Sequence, residues 1–127
     1  MRRILLLTLL LSTAALAQPA QTRQFLLKYE PLRADFTLQN MTDAERPVLM
    51  EHGAYLKSLT DQGKLILGGQ VFDPKGLWGI VIVTAPDAEA ANAMLQADPS
   101  VKAKIFRGVV IPFRVGFMRT NDSSPKP

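Results

Sequence analysis

KLILGGQVFDPKGLWGIVIVT, residues 64–84, decides the fold. Lys64 to Val71 reads as a strand with Gly68-Gly69 inside it. Paired glycines in a strand predict a bulge or a close approach of backbone by another group. Asp73-Pro74-Lys75-Gly76 is a turn: proline presets one dihedral and glycine tolerates positive φ. Trp78 to Thr84 is the next strand, and Ile80-Val81-Ile82-Val83 is apolar on both faces, which predicts a central position.

Helical patterns flank this pair on both sides. Upstream, apolar residues recur through Val48-Leu49-Met50-Glu51-His52-Gly53-Ala54-Tyr55-Leu56-Lys57-Ser58-Leu59 at helical period, and Gly63 supplies a left-handed stop after Gln62. Thr42-Asp43-Ala44-Glu45 has the capping-box pattern. Pro47 complicates that start, because proline removes a helical hydrogen bond. Either the helix begins near Arg46 after a separate turn over 42–45, or it bends there. Residues 33–41 form a polar connector, and before them Phe25, Leu27 and Tyr29 alternate with Leu26, Lys28 and Glu30 as a strand closed by Pro31.

Downstream, Pro86, Asp87 and Glu89 open a second helix that runs to about Ala97. Asp98-Pro99 restarts the chain into a short helical segment over 99–104. Val109, Ile111, Phe113, Val115 and Phe117 then alternate with Val110, Pro112 and Arg114 as a last strand. Pro112 cannot donate to a ladder, so that strand is at an edge or bulged. The order β-α-β-β-α-β predicts an α+β fold, a ferredoxin-like βαββαβ sandwich with a four-stranded antiparallel sheet and two helices on one face. The other face would be bare, and a second subunit is a common cover, so a homodimer is expected.

The ends read differently. Arg2-Arg3, the apolar run Ile4 to Leu11 and the small residues of Ala15-Leu16-Ala17 form the pattern of a signal peptide over 1–17, cleaved after Ala17. The apolar run falls short of the ~20 residues that span a bilayer, so no membrane attachment is expected after cleavage. Residues 18–23 read as a flexible lead-in, 24–118 as the domain and 119–127 as a disordered tail. The expected destination is secreted or periplasmic. The chain has 15 Lys+Arg against 11 Asp+Glu, and losing Arg2 and Arg3 leaves 13 against 11. That balance is scattered rather than striped, so no nucleic-acid partner is expected. Cysteine is absent, which excludes disulfides and a thiol nucleophile.

The chain has one histidine, and His52 lies on the apolar stripe formed by positions 48, 49, 52, 55, 56 and 59. A group that exchanges protons near neutral pH therefore points at the interior or a pocket. One histidine without cysteine is a poor metal-ligand set, and no cofactor is expected. Tyr55, a turn further on, can reach a shared pocket with its hydroxyl, and Gly69 can let a ligand approach the backbone. The structural alternatives are a packed helix histidine, a core tyrosine and a sheet bulge. Trp78 and Phe72 suit the core or a dimer contact better than a stacking platform. Arg107 can meet an acidic substrate or simply be solvated.

The stretch from Glu51-His52-Gly53-Ala54-Tyr55-Leu56-Lys57-Ser58-Leu59 through Gly63-Lys64-Leu65 to Gly68-Gly69 resembles the YCII-related (YciI-like) family. So does Ala97-Asp98-Pro99-Ser100-Val101-Lys102-Ala103 followed by Val110-Ile111-Pro112-Phe113. The resemblance covers about residues 24–118. It implies a ferredoxin-like fold of the dimeric α/β-barrel type and a His/Asp active site, carried here onto His52 and Asp98. A few relatives act on chlorinated or hydroxylated aromatic ring compounds, while most have no assigned reaction; the leader pattern departs from the family's many cytoplasmic members. Asp98 before Pro99 is also a standard helix N-cap, a complete structural role in itself. Two function classes follow. One is a cofactor-free His52/Asp98 acid–base enzyme, of isomerase or lyase type, acting on a small organic molecule. The other is a non-catalytic binding or assembly module of the same fold.

Overall fold

The computed structural model describes residues 22–118. The leader over 1–17, residues 18–21 of the lead-in and the tail over 119–127 lie outside the described residues. The elements follow the expected order: β1 (Arg23–Pro31), α1 (Glu45–Asp61), β2 (Leu65–Asp73), β3 (Gly76–Ala85), α2 (Ala88–Ala97), α3 (Pro99–Lys102) and β4 (Phe106–Phe113). The strands form one antiparallel sheet in the order β2-β3-β1-β4. This is the α+β ferredoxin-like arrangement, with the short α3 added to the two main helices. No helix among the described residues is long and apolar enough to cross a membrane.

Local chemistry explains most of the boundaries. Thr42 and Glu45 close a reciprocal turn: the Glu45 amide donates to Thr42 Oγ1 at 3.1 Å and the Thr42 amide to Glu45 Oε2 at 2.9 Å. Regular helix starts at Glu45, so the separate-turn alternative holds. Pro47 falls in the first turn, where amides have no intrahelical acceptor and a missing N–H costs nothing. At the other end Gly63 adopts φ 69°, with Gly63 N–H donating to Thr60 and Lys64 N–H to Leu59. That is the Schellman closure, available without strain to glycine.

Alternation in β1 buries Phe25, Leu27 and Tyr29 on the helix-covered face. They pack with Val81, Val83, Ala85, Ala91 and Leu95 as the core. β3 is central and β4 is at an edge, which accommodates Pro112. Three sequence expectations need correction. β4 runs Phe106–Phe113, so Val115 and Phe117 lie beyond it. β1 starts at Arg23, one residue before the expected domain start at 24. The irregularity in β2 falls between Leu65 and Leu67, while Gly68 and Gly69 pair in register with Val81 and Ile80.

Gly108 of β4 faces the core opposite Tyr29, and an added Cβ would lie 2.5 Å and 2.9 Å from the two δ-methyls of Leu95. Leu95 is fully buried and has nowhere to swing. Gly108→Ala is therefore expected to destabilise the domain by about 1–3 kcal/mol. Thermal unfolding should show a Tm lowered by about 4–8 °C per kcal/mol; an unchanged Tm would contradict this packing.

Candidate active site

The α1 stripe read from the sequence is the half-buried face of the helix: Val48, Leu49, His52, Tyr55 and Leu56 are partly buried and Leu59 is buried. α3 brings Asp98 against this face. His52 Nδ1 lies 2.8 Å from Asp98 Oδ2 and 2.9 Å from Oδ1. Asp98 is fully buried, and the His52 side chain is 19% exposed.

Asp98 also caps α3, and one carboxylate serves both roles. Oδ1 accepts from the Ser100 amide at 2.8 Å and from the Ser100 hydroxyl at 2.7 Å. Among the described residues Oδ2 accepts a hydrogen bond from His52 alone. The cap thus leaves an oxygen for the imidazole. Burial pushes the Asp98 carboxyl up, but the hydrogen bonds from His52 and Ser100 outweigh it and hold the pKa below the ordinary value. An ionised carboxylate can only accept, so Nδ1 carries the proton. Nε2 is then the basic nitrogen, and it has no hydrogen-bond partner among the described residues.

The ring is held in place by apolar edges. Tyr29 packs edge-on at 5.6 Å and Phe106 at 5.8 Å between centroids. Phe106 is itself braced by the buried Phe36 of the connector, at 5.4 Å. The connector is fastened to α1 by Arg33, whose Nη2 and Nε donate to the two Glu45 carboxylate oxygens at 2.9 Å and 3.2 Å. Among the described residues the buried Tyr29 hydroxyl has no hydrogen-bond partner. Burial, reinforced by the nearby Asp98 charge, pushes its pKa far above the ordinary tyrosine value. It remains a donor at any practical pH and cannot act as a base.

His52 and Tyr29 line a cavity of about 820 Å³ between α1 and the β2–β3 half of the sheet. Its walls are largely apolar, with Leu38, Met41, Leu49, Leu56, Phe72 and Val81 among them. Gly68 and Gly79, on the helix-facing side of the sheet, present bare backbone, which leaves room beneath α1. Gly69 also lines this cavity. Tyr55 does not: it turns the other way and donates to the Met94 carbonyl at 2.8 Å, so its hydroxyl serves packing against α2. Arg107 is likewise elsewhere, paired with Glu30 at 3.2 Å. Trp78 is half-buried under Lys28, while Phe72 is 75% exposed at the cavity rim.

Tyr29, Ser100, Phe106 and Arg46, which also lines the cavity, escaped the sequence reading. Ser100 had a usable signal, since a side chain two residues past an N-cap lies beside the capping carboxylate. Tyr29 and Phe106 gave none beyond strand alternation. Among the described residues no three His, Asp or Glu side chains converge as metal ligands. What the arrangement can do is move one proton: Nε2 accepts it, and Asp98 stabilises the resulting imidazolium.

The model of the YCII-related domain family matches residues 23–114. Among solved structures, the chain is similar to the 5-chloro-2-hydroxyhydroquinone dehydrochlorinase of Burkholderia phenoliruptrix AC1100, in complex with 2,5-dihydroxybenzoquinone. Identity is 24% and the TM-score 0.53, covering 72% of this chain and 95% of that one. At that identity the likeness concerns the fold. No curated protein matches the chain.

Proposed function

Because this chain belongs to the YCII-related domain family, we propose that it is an acid–base enzyme acting on a small organic molecule, with His52 Nε2 as the proton carrier. The observation that carries this reading is the hydrogen bond from His52 Nδ1 to a fully buried Asp98, on the wall of a cavity large enough for a single ring compound. The dyad performs its step without a cofactor. Nε2 takes a proton from carbon or oxygen next to a carbonyl or hydroxylated ring, then returns it at another position or leaves it off as a group departs. Isomerisation and elimination both fit. The dehydrochlorinase complex supports the reading by providing an example of this fold with a quinone ligand.

The test is proton exchange. The chain is incubated in D2O with 5-chloro-2-hydroxyhydroquinone and a panel of small carbonyl and hydroxylated ring compounds. Deuterium incorporation is followed by proton NMR, and chloride release by electrode. Exchange or release above the buffer rate by the wild type, lost in His52→Gln, is the expected result. Binding of these compounds without turnover would favour the non-catalytic module instead.

We further propose that a second copy covers the open sheet face. There Leu26 pairs with Ile82 on one side and Ile111 on the other, with Ile80 and Val109 in the next row. Val109, Ile111 and Phe113 remain 53%, 41% and 42% exposed. Sedimentation should give a dimer for the wild type and a monomer for Ile111→Lys; a monomeric wild type would remove this part of the proposal. Export belongs to the same reading: mass spectrometry of protein from the native host should find Gln18 at the N-terminus, and an intact Met1 would refute it.

A further inference from the structure

Among the described residues, Arg46 is the one Lys or Arg that lines the cavity beside His52, and it is uncommitted. Arg46 lies on α1, six residues before His52, on the stripe Arg46, Leu49, Met50, Gly53 and Leu56 that faces the cavity. Other basic side chains nearby are occupied. Arg33 is held by Glu45 and Asp35, Lys57 by Asp61, and Lys28 and Arg107 by Glu30. The Arg46 guanidinium makes no ion pair or side-chain hydrogen bond among the described residues. Among the described residues no carboxylate lines this cavity; Asp98 stands behind the imidazole, bound to it.

From this we infer that Arg46 is the specificity residue of the site, anchoring the carboxylate or phenolate of a small organic anion whose apolar body lies over Gly68 and Gly79. The inference rests on the proposed reading of the cavity as a ligand site and adds the charge class of what enters it. A guanidinium presents a planar fork that matches two-oxygen anions, and charge-assisted bonds of this kind are the stronger ones. Over an apolar surface the anion keeps part of its desolvation penalty unless such a partner meets it. Placing the anion at the rim and the apolar body inward brings the reacting part of the molecule to His52. Arg46 is thus a binding group, distinct in role from the dyad.

The test uses the full chain and three probes of similar size: benzoate, 4-nitrophenolate in alkaline buffer, and benzamide as the neutral counterpart. Calorimetric titration should show the preferred anion binding roughly tenfold more tightly than benzamide, the factor set by one good charge-assisted contact. The two anions separate carboxylate from phenolate recognition. Arg46→Gln should erase the preference while leaving benzamide unaffected, and Arg46→Lys should recover part of it. Rising salt should erode it, since Arg46 is at the exposed rim. Gly68→Leu, which fills the cavity floor, should weaken all three probes, and Gly53→Leu from the opposite wall replaces it should that variant not fold. Equal binding of anions and benzamide overturns the inference about Arg46 and leaves the cavity reading intact, as does a preference that survives Arg46→Gln. Anion binding untouched by both glycine variants overturns it by placing the probe elsewhere. No binding of any probe overturns both readings.

Discussion

Asp98→Ala is expected to lower the free energy of unfolding by about 2–4 kcal/mol, because it strips a charged acceptor from buried donors. Three donors depend on this carboxylate: His52 Nδ1–H, the Ser100 amide and the Ser100 hydroxyl. With Asp98 and Ser100 both fully buried, water does not readily replace what is lost. Asp98→Asn keeps a capping oxygen and should recover about 1 kcal/mol of that loss. Chemical denaturation measures the series, and an alanine cost below about 1 kcal/mol would show that the carboxylate contributes little to the fold. The same group sets an acid limit. Its folded pKa is below the ordinary 3.8, so the stability it contributes is present above that value and is lost as pH falls through the folded pKa. Wild-type stability should therefore decline below about pH 4, and Asp98→Ala should decline less over the same window.

His52→Gln is expected to reduce the proposed proton exchange by about 10²–10⁴-fold, the usual contribution of a positioned acid–base group. Glutamine can donate to Asp98 from its amide and fill most of the space between Tyr29 and Phe106. It has no basic nitrogen to replace Nε2, so the fold should persist while proton transfer stops. Asp98→Asn should also slow exchange, because an amide neither fixes the Nδ1–H tautomer as firmly nor offsets the imidazolium charge. A His52→Gln variant that exchanges at the wild-type rate would show the base to be another group. Tyr29 is not that group, since burial and the Asp98 charge keep its hydroxyl protonated.

Much of the candidate site was legible because its chemistry is local. His52 stands out as the single histidine on a helical stripe, and that stripe proved to be the half-buried face of α1. Asp98 is marked by the proline after it, though the same mark also signals a cap. Whether cap and pair exclude one another could not be settled from spacing. It depends on which carboxylate oxygen faces which donor: Oδ1 carries the cap and shares His52 Nδ1 with Oδ2. Tyr55 lies apart from the cavity for a related reason. A stripe of about 100° holds both Tyr55 and Leu56, yet one faces α2 and the other the cavity. Periodicity gives the buried side of a helix but not which neighbour lies at each edge of it.

The sequence by itself determined the order and kind of elements, the Schellman stop at Gly63, the turn over Asp73–Gly76 and the inward alternation of β1. Each follows from backbone sterics or from hydrophobic period within a few residues. Only the tertiary structure decided the constellation. His52 and Asp98 are 46 residues apart in the chain, and Tyr29 reaches them from a third element. Their meeting depends on the sheet order and on a gap beneath α1 that Gly68 and Gly79 leave open. Arg46 shows the same division, since as a residue it is an ordinary exposed helix cation. What makes it the cavity's uncommitted charge is that Glu45 is taken by Arg33, a pairing that exists only once the connector has folded back onto α1.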